Sequence, residues 1–338
     1  PPLPMPANAP CRAATRFALP ALALLACLVT GAATADTRAW PQRPIKIVAA
    51  QQAGSATDNL ARLMADALEA QLGVPVTVEN RPGAGGKIGA EAVARATPDG
   101  YTLLVGGTSN LVIAAATEPE LRYDPQRDLV AVGRFAHVPF GFAVHAAVPA
   151  RTLGELVELA RARPGTLTYV SLGSATSTGF GTRMFLKEAG IDMLAIEYKG
   201  IASALPDLLS GRVDLILNEV ALLAQHSASA GIRVLAIADT KRAARLPSVP
   251  TTAEQGFARV ITTPWYGLLA PAGTPPDVQK RLAAAYDAAV RMPAVRSRIE
   301  ALGYDLIVDG PGQFAITLRD DIAAMRAIAA GGSHALPR

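Results

Sequence analysis

From Ile45 onward, short β-branched runs alternate with stretches whose apolar residues recur at helical spacing, the layering of an α/β fold. Ile45-Lys46-Ile47-Val48 predicts a strand. A polar turn follows, then a helix carrying Leu60, Leu63, Met64, Ala67 and Leu68 on one face. Ser55-Ala56-Thr57-Asp58 is an approximate capping box, with Asp where Glu is usual. Gly73-Val74-Pro75 ends that helix. Strands are expected at residues 76–79 and 102–105, with a helix over 88–96 between them.

A long β-like stretch over 129–148 is broken by Pro139-Phe140-Gly141, and a comparable one recurs at 260–270 around Thr263-Pro264-Trp265-Tyr266-Gly267. Between them sits a self-contained α/β segment. Its helices are expected at 152–161, 180–188 and 205–209, and its strands at 167–172, 195–198, 213–218 and 234–238. Helices at 276–291, 293–302 and 314–329 then return to the first part of the chain. A segment inserted between two matching stretches predicts two lobes joined by a hinge of two crossing strands. The first lobe would comprise 36–140 and 265–338, the second 141–264. Such a hinge leaves an interlobe cleft, the usual place for a ligand.

The first 35 residues read as a secretion signal. Arg12 and Arg16 precede an apolar run over 17–29, and Ala33-Thr34-Ala35 offers a small-x-small cleavage site. Leu24-Leu25-Ala26-Cys27 also resembles a lipobox, so lipid anchoring at Cys27 is the competing expectation. Cleavage after Ala35 would remove both cysteines, Cys11 and Cys27, and with them any disulfide, thiolate nucleophile or Cys-based metal site. It would also lower the formal charge from +4 by the two arginines. The expected product is exported to the periplasm, nearly balanced in charge, and not built for nucleic acid.

Catalytic patterns are thin. In Glu79-Asn80-Arg81-Pro82-Gly83-Ala84-Gly85-Gly86-Lys87-Ile88-Gly89 the spacing fits neither a P-loop nor a dinucleotide fingerprint, and a tight strand-to-helix turn is the better reading. No G-x-S-x-G elbow surrounds Ser177, whose flanks are Ala175 and Gly179. His137 and His145 could share a strand face, but eight residues at about 3.3 Å each hold them too far apart for one metal. Neither an enzyme nor a cofactor is expected.

Three polar turns point instead to ligand capture: Gln51-Gln52-Ala53-Gly54-Ser55, Gly106-Gly107-Thr108-Ser109-Asn110, and Ser171-Leu172-Gly173-Ser174-Ala175-Thr176-Ser177-Thr178-Gly179. Each follows a predicted strand, at the end where open α/β sheets bind ligands. Each offers hydroxyls, amides and backbone N–H groups, two of them at helix N-termini that suit a carboxylate. None contains Arg or Lys, so an anion would be held by dipoles and neutral donors. Ordinary helix capping explains any one turn alone; three turns divided between two lobes favour a cleft.

The chain resembles the tripartite tricarboxylate transporter receptors, Bug-type solute-binding proteins. The likeness runs in order through Trp40-Pro41, Pro44-Ile45-Lys46-Ile47-Val48, Thr57-Asp58 with Ala61-Arg62, Glu79 to Gly86, and Pro98-Asp99-Gly100-Tyr101-Thr102-Leu103-Leu104. It continues through Tyr198-Lys199-Gly200, Gly211-Arg212-Val213-Asp214, Pro250-Thr251-Thr252-Ala253-Glu254-Gln255-Gly256 and Trp265 to Pro275. The resemblance implies a type II periplasmic-binding fold whose cleft closes on a small carboxylate. It also implies delivery to the membrane components of a transporter, and a pocket made by the three turns with the loops near Tyr198 and Asn218. The receptor would act as a monomer. Three departures bear on the ligand. Ala50-Gln51-Gln52-Ala53-Gly54-Ser55 stands where Pro-Phe-x-Pro-Gly-Gly is usual, Gly179 replaces a common His, and Asn218 replaces a common Asp. These leave a more neutral pocket, with Lys199 expected at the solvated surface.

Other readings of the same fold are a sensor for a membrane signalling partner and a cytoplasmic transcription regulator. The signal and the lack of a helix-turn-helix segment argue against the regulator. An exported enzyme is disfavoured by the missing constellations.

Overall fold

The β-branched runs and helical stripes condense into two sheets, each wrapped by helices, in a computed structural model that describes residues 40–330 apart from 230 and 263. The expected signal and Cys27 lie outside the described residues. The first part of the chain gives β1 (Ile45–Ala49), α1 (Ala56–Leu72), β2 (Val76–Asn80), α2 (Lys87–Ala94), β3 (Thr102–Gly107), α3 (Ala114–Thr117) and β4 (Leu129–His137). Next come β5 (Phe140–His145), α4 (Leu153–Ala162), β6 (Thr168–Ser171), α5 (Ser177–Ala189), β7 (Leu194–Glu197), α6 (Ile201–Leu209), β8 (Leu215–Glu219), α7 (Val220–Ser227) and β9 (Ile232–Ile237). Then β10 (Trp265–Pro271), α8 (Pro276–Val290), α9 (Pro293–Ala301), β11 (Asp305–Asp309) and α10 (Pro311–Ala329) complete it.

The first sheet has the order β11-β4-β10-β3-β1-β2, the second β7-β6-β8-β5-β9. β1 runs parallel to β2 and β3, whereas β10 lies antiparallel between β3 and β4. Parallel strands send their C-terminal ends, and the turns after them, to the same edge. That geometry gathers the polar turns after β1 and β3. In the second sheet β6 and β8, also parallel, bring the turn after Ser171 and the end of β8 at Glu219 to one edge.

The predicted stripe of α1 is buried as a unit, Leu60, Leu63, Met64, Ala67 and Leu68 all being at most 4 % exposed. Gly73 closes the helix in the left-handed region and donates its N–H to Glu69, the glycine-terminated end that an L side chain would strain. Trp265 packs edge-on against Phe314 and donates its indole N–H to Asp321 at 2.7 Å, which ties α10 to β10.

The long stretch at 129–148 is two strands in different sheets, with Val138 and Pro139 as the link. The return stretch corrects the expectation: pairing begins only at Trp265, not at 260. Proline has no N–H for a ladder, and the carbonyl of Pro264 accepts instead from Val138 N–H at 2.8 Å. Thr262 donates to Ala238, and Ala238 to Phe140, both at 2.8 Å. The chain crosses between the sheets twice, at 138–139 and through 238–264, and these bonds tie the two crossings side by side. His137 sits beside it, its Nε2 3.2 Å from Asp239 and its Nδ1 3.2 Å from Asp305. Three elements lie outside the expected pattern: α3, α7 and β11.

Candidate functional site

The turn after β1 is held by one buried acid. Asp58, 3 % exposed, accepts from Gly54 N–H at 2.9 Å, from Asn80 Nδ2 at 2.8 Å and from Arg62. Asn80 also donates to the carbonyl of Gln51 at 3.1 Å. Ser55 caps α1 as expected, accepting from Asp58 N–H at 3.3 Å. The short Asp side chain bonds Gly54 N–H instead of completing the box at Ser55. Burial would raise the Asp58 carboxyl. The bonds from Gly54, Arg62 and Asn80 outweigh it and hold the group below the usual carboxylate range.

Thr176 caps α5 in the same manner, accepting from Gly179 N–H at 3.1 Å and donating to the Gly173 carbonyl at 2.8 Å. A Cβ on Gly179 would lie 2.3 Å from that carbonyl oxygen. Glycine at 179 is therefore a packing requirement of this turn.

The turns meet across one cleft of about 610 Å3, a size suited to a small molecule. From the first sheet come Gln51, Gln52, Ser55, Thr57, Ser109 and Tyr266; from the second come Gly173, Ser174, Ala175, Thr176, Ser177, Thr178, Tyr198 and Asn218. The two sides touch directly. Ser109 Oγ accepts from Ser177 N–H at 3.1 Å and lies 3.1 Å from Ser177 Oγ.

The remaining candidates lie elsewhere. Thr108 and Asn110 line a recess of about 20 Å3 beside the cleft. Their polar groups are committed to the fold: Thr108 accepts from Trp265 N–H at 3.0 Å, while Asn110 bonds Gly107 and Gly86. Gly54 and Ser171 do not line either space. The N–H of Gly54 is turned to Asp58, and the Ser171 hydroxyl accepts from Gly173 N–H at 3.3 Å. Tyr198 reaches the cleft, but its hydroxyl donates to Asp207 at 2.8 Å.

Several lining residues escaped the motif reading. Pro82, Gly83, Ala84 and Gly85 form part of the wall. Their segment is the expected tight turn, with Gly83, Ala84, Gly85 and Gly86 all at positive φ, yet it also faces the cleft. Lys87 and Glu118 line it as an ion pair. Lys199 lines it too while remaining exposed. Phe140, Glu197, Glu219 and Tyr266 complete the list of polar and aromatic groups that only the tertiary fold brings together. Burial raises the Tyr266 phenol.

A family model described as Tripartite tricarboxylate transporter family receptor matches residues 60–330. Protein BugT of Bordetella pertussis is 33 % identical over 290 residues, covering 86 % of this chain and 88 % of that protein. Among solved structures, MatC from Rhodopseudomonas palustris with bound malate superposes with a TM-score of 0.80 at 27 % identity, over 86 % of this chain and all of that one. A second R. palustris protein, with adipate, gives 0.80 at 29 % identity, over 87 % and 99 %. With the two-lobed fold and the family's motifs in order, this chain belongs to the tripartite tricarboxylate transporter receptors of Bug type.

Proposed function

We propose that the chain is an extracytoplasmic receptor that captures a small carboxylate-bearing solute by closure of its lobes and hands it to a tripartite tricarboxylate-type membrane transporter. The observation that carries this reading is the convergence of polar turns from both sheets on one cleft, where Ser109 and Ser177 bond across it. A carboxylate placed there meets helix N-termini and neutral donors from two sides at once. Bound ligand then favours the closed arrangement because only that arrangement supplies both sets of contacts. The malate and adipate seen in the two R. palustris proteins support the ligand class.

In this reading lobe one comprises 36–140 and 265–338, and lobe two 141–264. The ligand contacts come from Gln51, Gln52, Ser55, Ser109, Gly173, Ser174, Ala175, Thr176, Ser177, Thr178, Tyr198 and Asn218, with Gly54, Thr108, Asn110 and Ser171 shaping the turns behind them. The protein acts as a monomer without catalysis or cofactor. It reaches the periplasm through residues 1–35, either released after Ala35 or tethered at Cys27. Among the described residues no helix is long and apolar enough to cross a membrane.

Ser177→Trp tests the site. Ser177 is 4 % exposed and faces Ser109, so an indole there fills the cleft and wedges the lobes apart. Calorimetric titration of a carboxylate that binds the parent is expected to show a loss of about 100-fold or more, as for the removal of central contacts in other interfaces. Unchanged affinity would move the site elsewhere.

A further inference from the structure

Resting on the receptor reading above, we propose that Glu219 is a specificity-determining residue that takes a hydrogen-bond donor of the ligand, an ammonium above all. The preferred solute is then a carboxylate that also carries an amino group, in preference to a dicarboxylate.

The charges lining the cleft are three glutamates and two lysines: Glu118, Glu197, Glu219, Lys87 and Lys199. Lys87 and Glu118 cancel in their ion pair. Lys199 and Glu197 are exposed, where solvent screens them. Glu219 differs. It is half-buried at the end of β8, paired in register with Phe140 at the hinge, and its N–H donates to Asn218 Oδ1 at 2.6 Å. One carboxylate oxygen accepts from the Tyr304 hydroxyl at 2.8 Å. Tyr304 stands just before β11 and is 5 % exposed.

No lysine or arginine pairs with Glu219 among the described residues. The titratable groups facing it are Tyr304 and Tyr266, and the charge of Arg245 acts on Tyr304. Burial pushes the Glu219 carboxyl up, and the Tyr304 bond only partly offsets that. A carboxylate so placed retains acceptor capacity on the cleft side. A ligand ammonium there compensates a desolvated anion, whereas a second ligand carboxylate meets like charge in a poorly solvated wall.

The test is titration calorimetry with ω-amino carboxylates, the dicarboxylates of matching chain length, and the plain monocarboxylates. The wild-type protein is expected to bind the best amino carboxylate about ten-fold more tightly than its matching dicarboxylate near neutral pH. That preference shrinks as pH falls and Glu219 takes up its proton. Glu219→Gln keeps an acceptor for Tyr304 and should bring the ratio to about unity. Tighter binding of dicarboxylates by the wild type overturns the inference and leaves the carboxylate receptor intact. So does a ratio unchanged in Glu219→Gln. If that variant fails to fold, a wild-type ratio flat between about pH 8 and pH 4 overturns it equally. Failure of every carboxylate to bind overturns the receptor reading and this one together.

Discussion

Gly179→Ala is expected to destabilise the protein by about 2–3 kcal/mol, the range for overpacking a tight site, and to weaken ligand binding by about 100-fold. The added Cβ would lie 2.3 Å from the Gly173 carbonyl oxygen and 3.1 Å from its carbon. Both are backbone atoms, so no side chain can swing away. That carbonyl also accepts from Thr176 N–H at 3.2 Å and from Thr176 Oγ1 at 2.8 Å. Moving it breaks the cap of α5 and shifts Gly173, Ser174 and Ala175, which line the cleft. The helix cannot retreat instead, because Gly181 already faces Thr262 and Leu217 too closely to admit a Cβ. Urea unfolding and calorimetry check both effects. A variant with parental stability and affinity would contradict the account of this turn.

Asp58→Ala should cost about 3 kcal/mol, the scale for stripping a buried charged acceptor from its partners. It leaves Gly54 N–H without its acceptor, removes one of the two acceptors of Asn80 Nδ2, and leaves Arg62 its bond to Asn80 Oδ1 alone. Asn80 then holds the Gln51 carbonyl alone, so affinity is expected to fall as the turn loosens. The pH dependence has a definite sign. The folded-state carboxyl is lowered, despite the opposing effect of burial, by its bonds to Gly54, Arg62 and Asn80. Its contribution is therefore complete above the unfolded value of about 3.9 and is lost as pH falls through the lower folded value. The stability gap between parent and variant, measured by urea unfolding at neutral pH and again below about pH 3.9, should narrow in acid. A gap that widens would contradict the assignment.

The elements best foreseen were those whose burial follows one period. The α1 stripe and its Ser55 cap are local consequences of residues four or fewer apart. The polar turns were legible because strand ends in an α/β sheet announce where a cleft forms. Their individual atoms were not: Gly54 and Ser171 belong to turns that line the cleft but spend their polar groups on Asp58 and Gly173. β11 escaped because Asp305, Leu306, Ile307, Val308 and Asp309 are half-buried throughout, with no buried and exposed faces to alternate. α7 follows β8 directly, with no side-chain cap to separate the two. Lys87 with Glu118, and Glu219 with Tyr304, are 31 and 85 residues apart. Pairs of that separation exist only once the sheets have packed, and no local pattern records them.

Capture of a small carboxylate in this cleft is tested by thermal unfolding of the protein against matched carboxylates and their neutral amides. A carboxylate present at 100 times its Kd stabilises the folded state by about 2.7 kcal/mol, raising the unfolding midpoint by about 5 °C for a domain of this size. That rise is expected for at least one carboxylate and none for its amide. A midpoint moved by neutral solutes, while every carboxylate leaves it unchanged, would contradict the account.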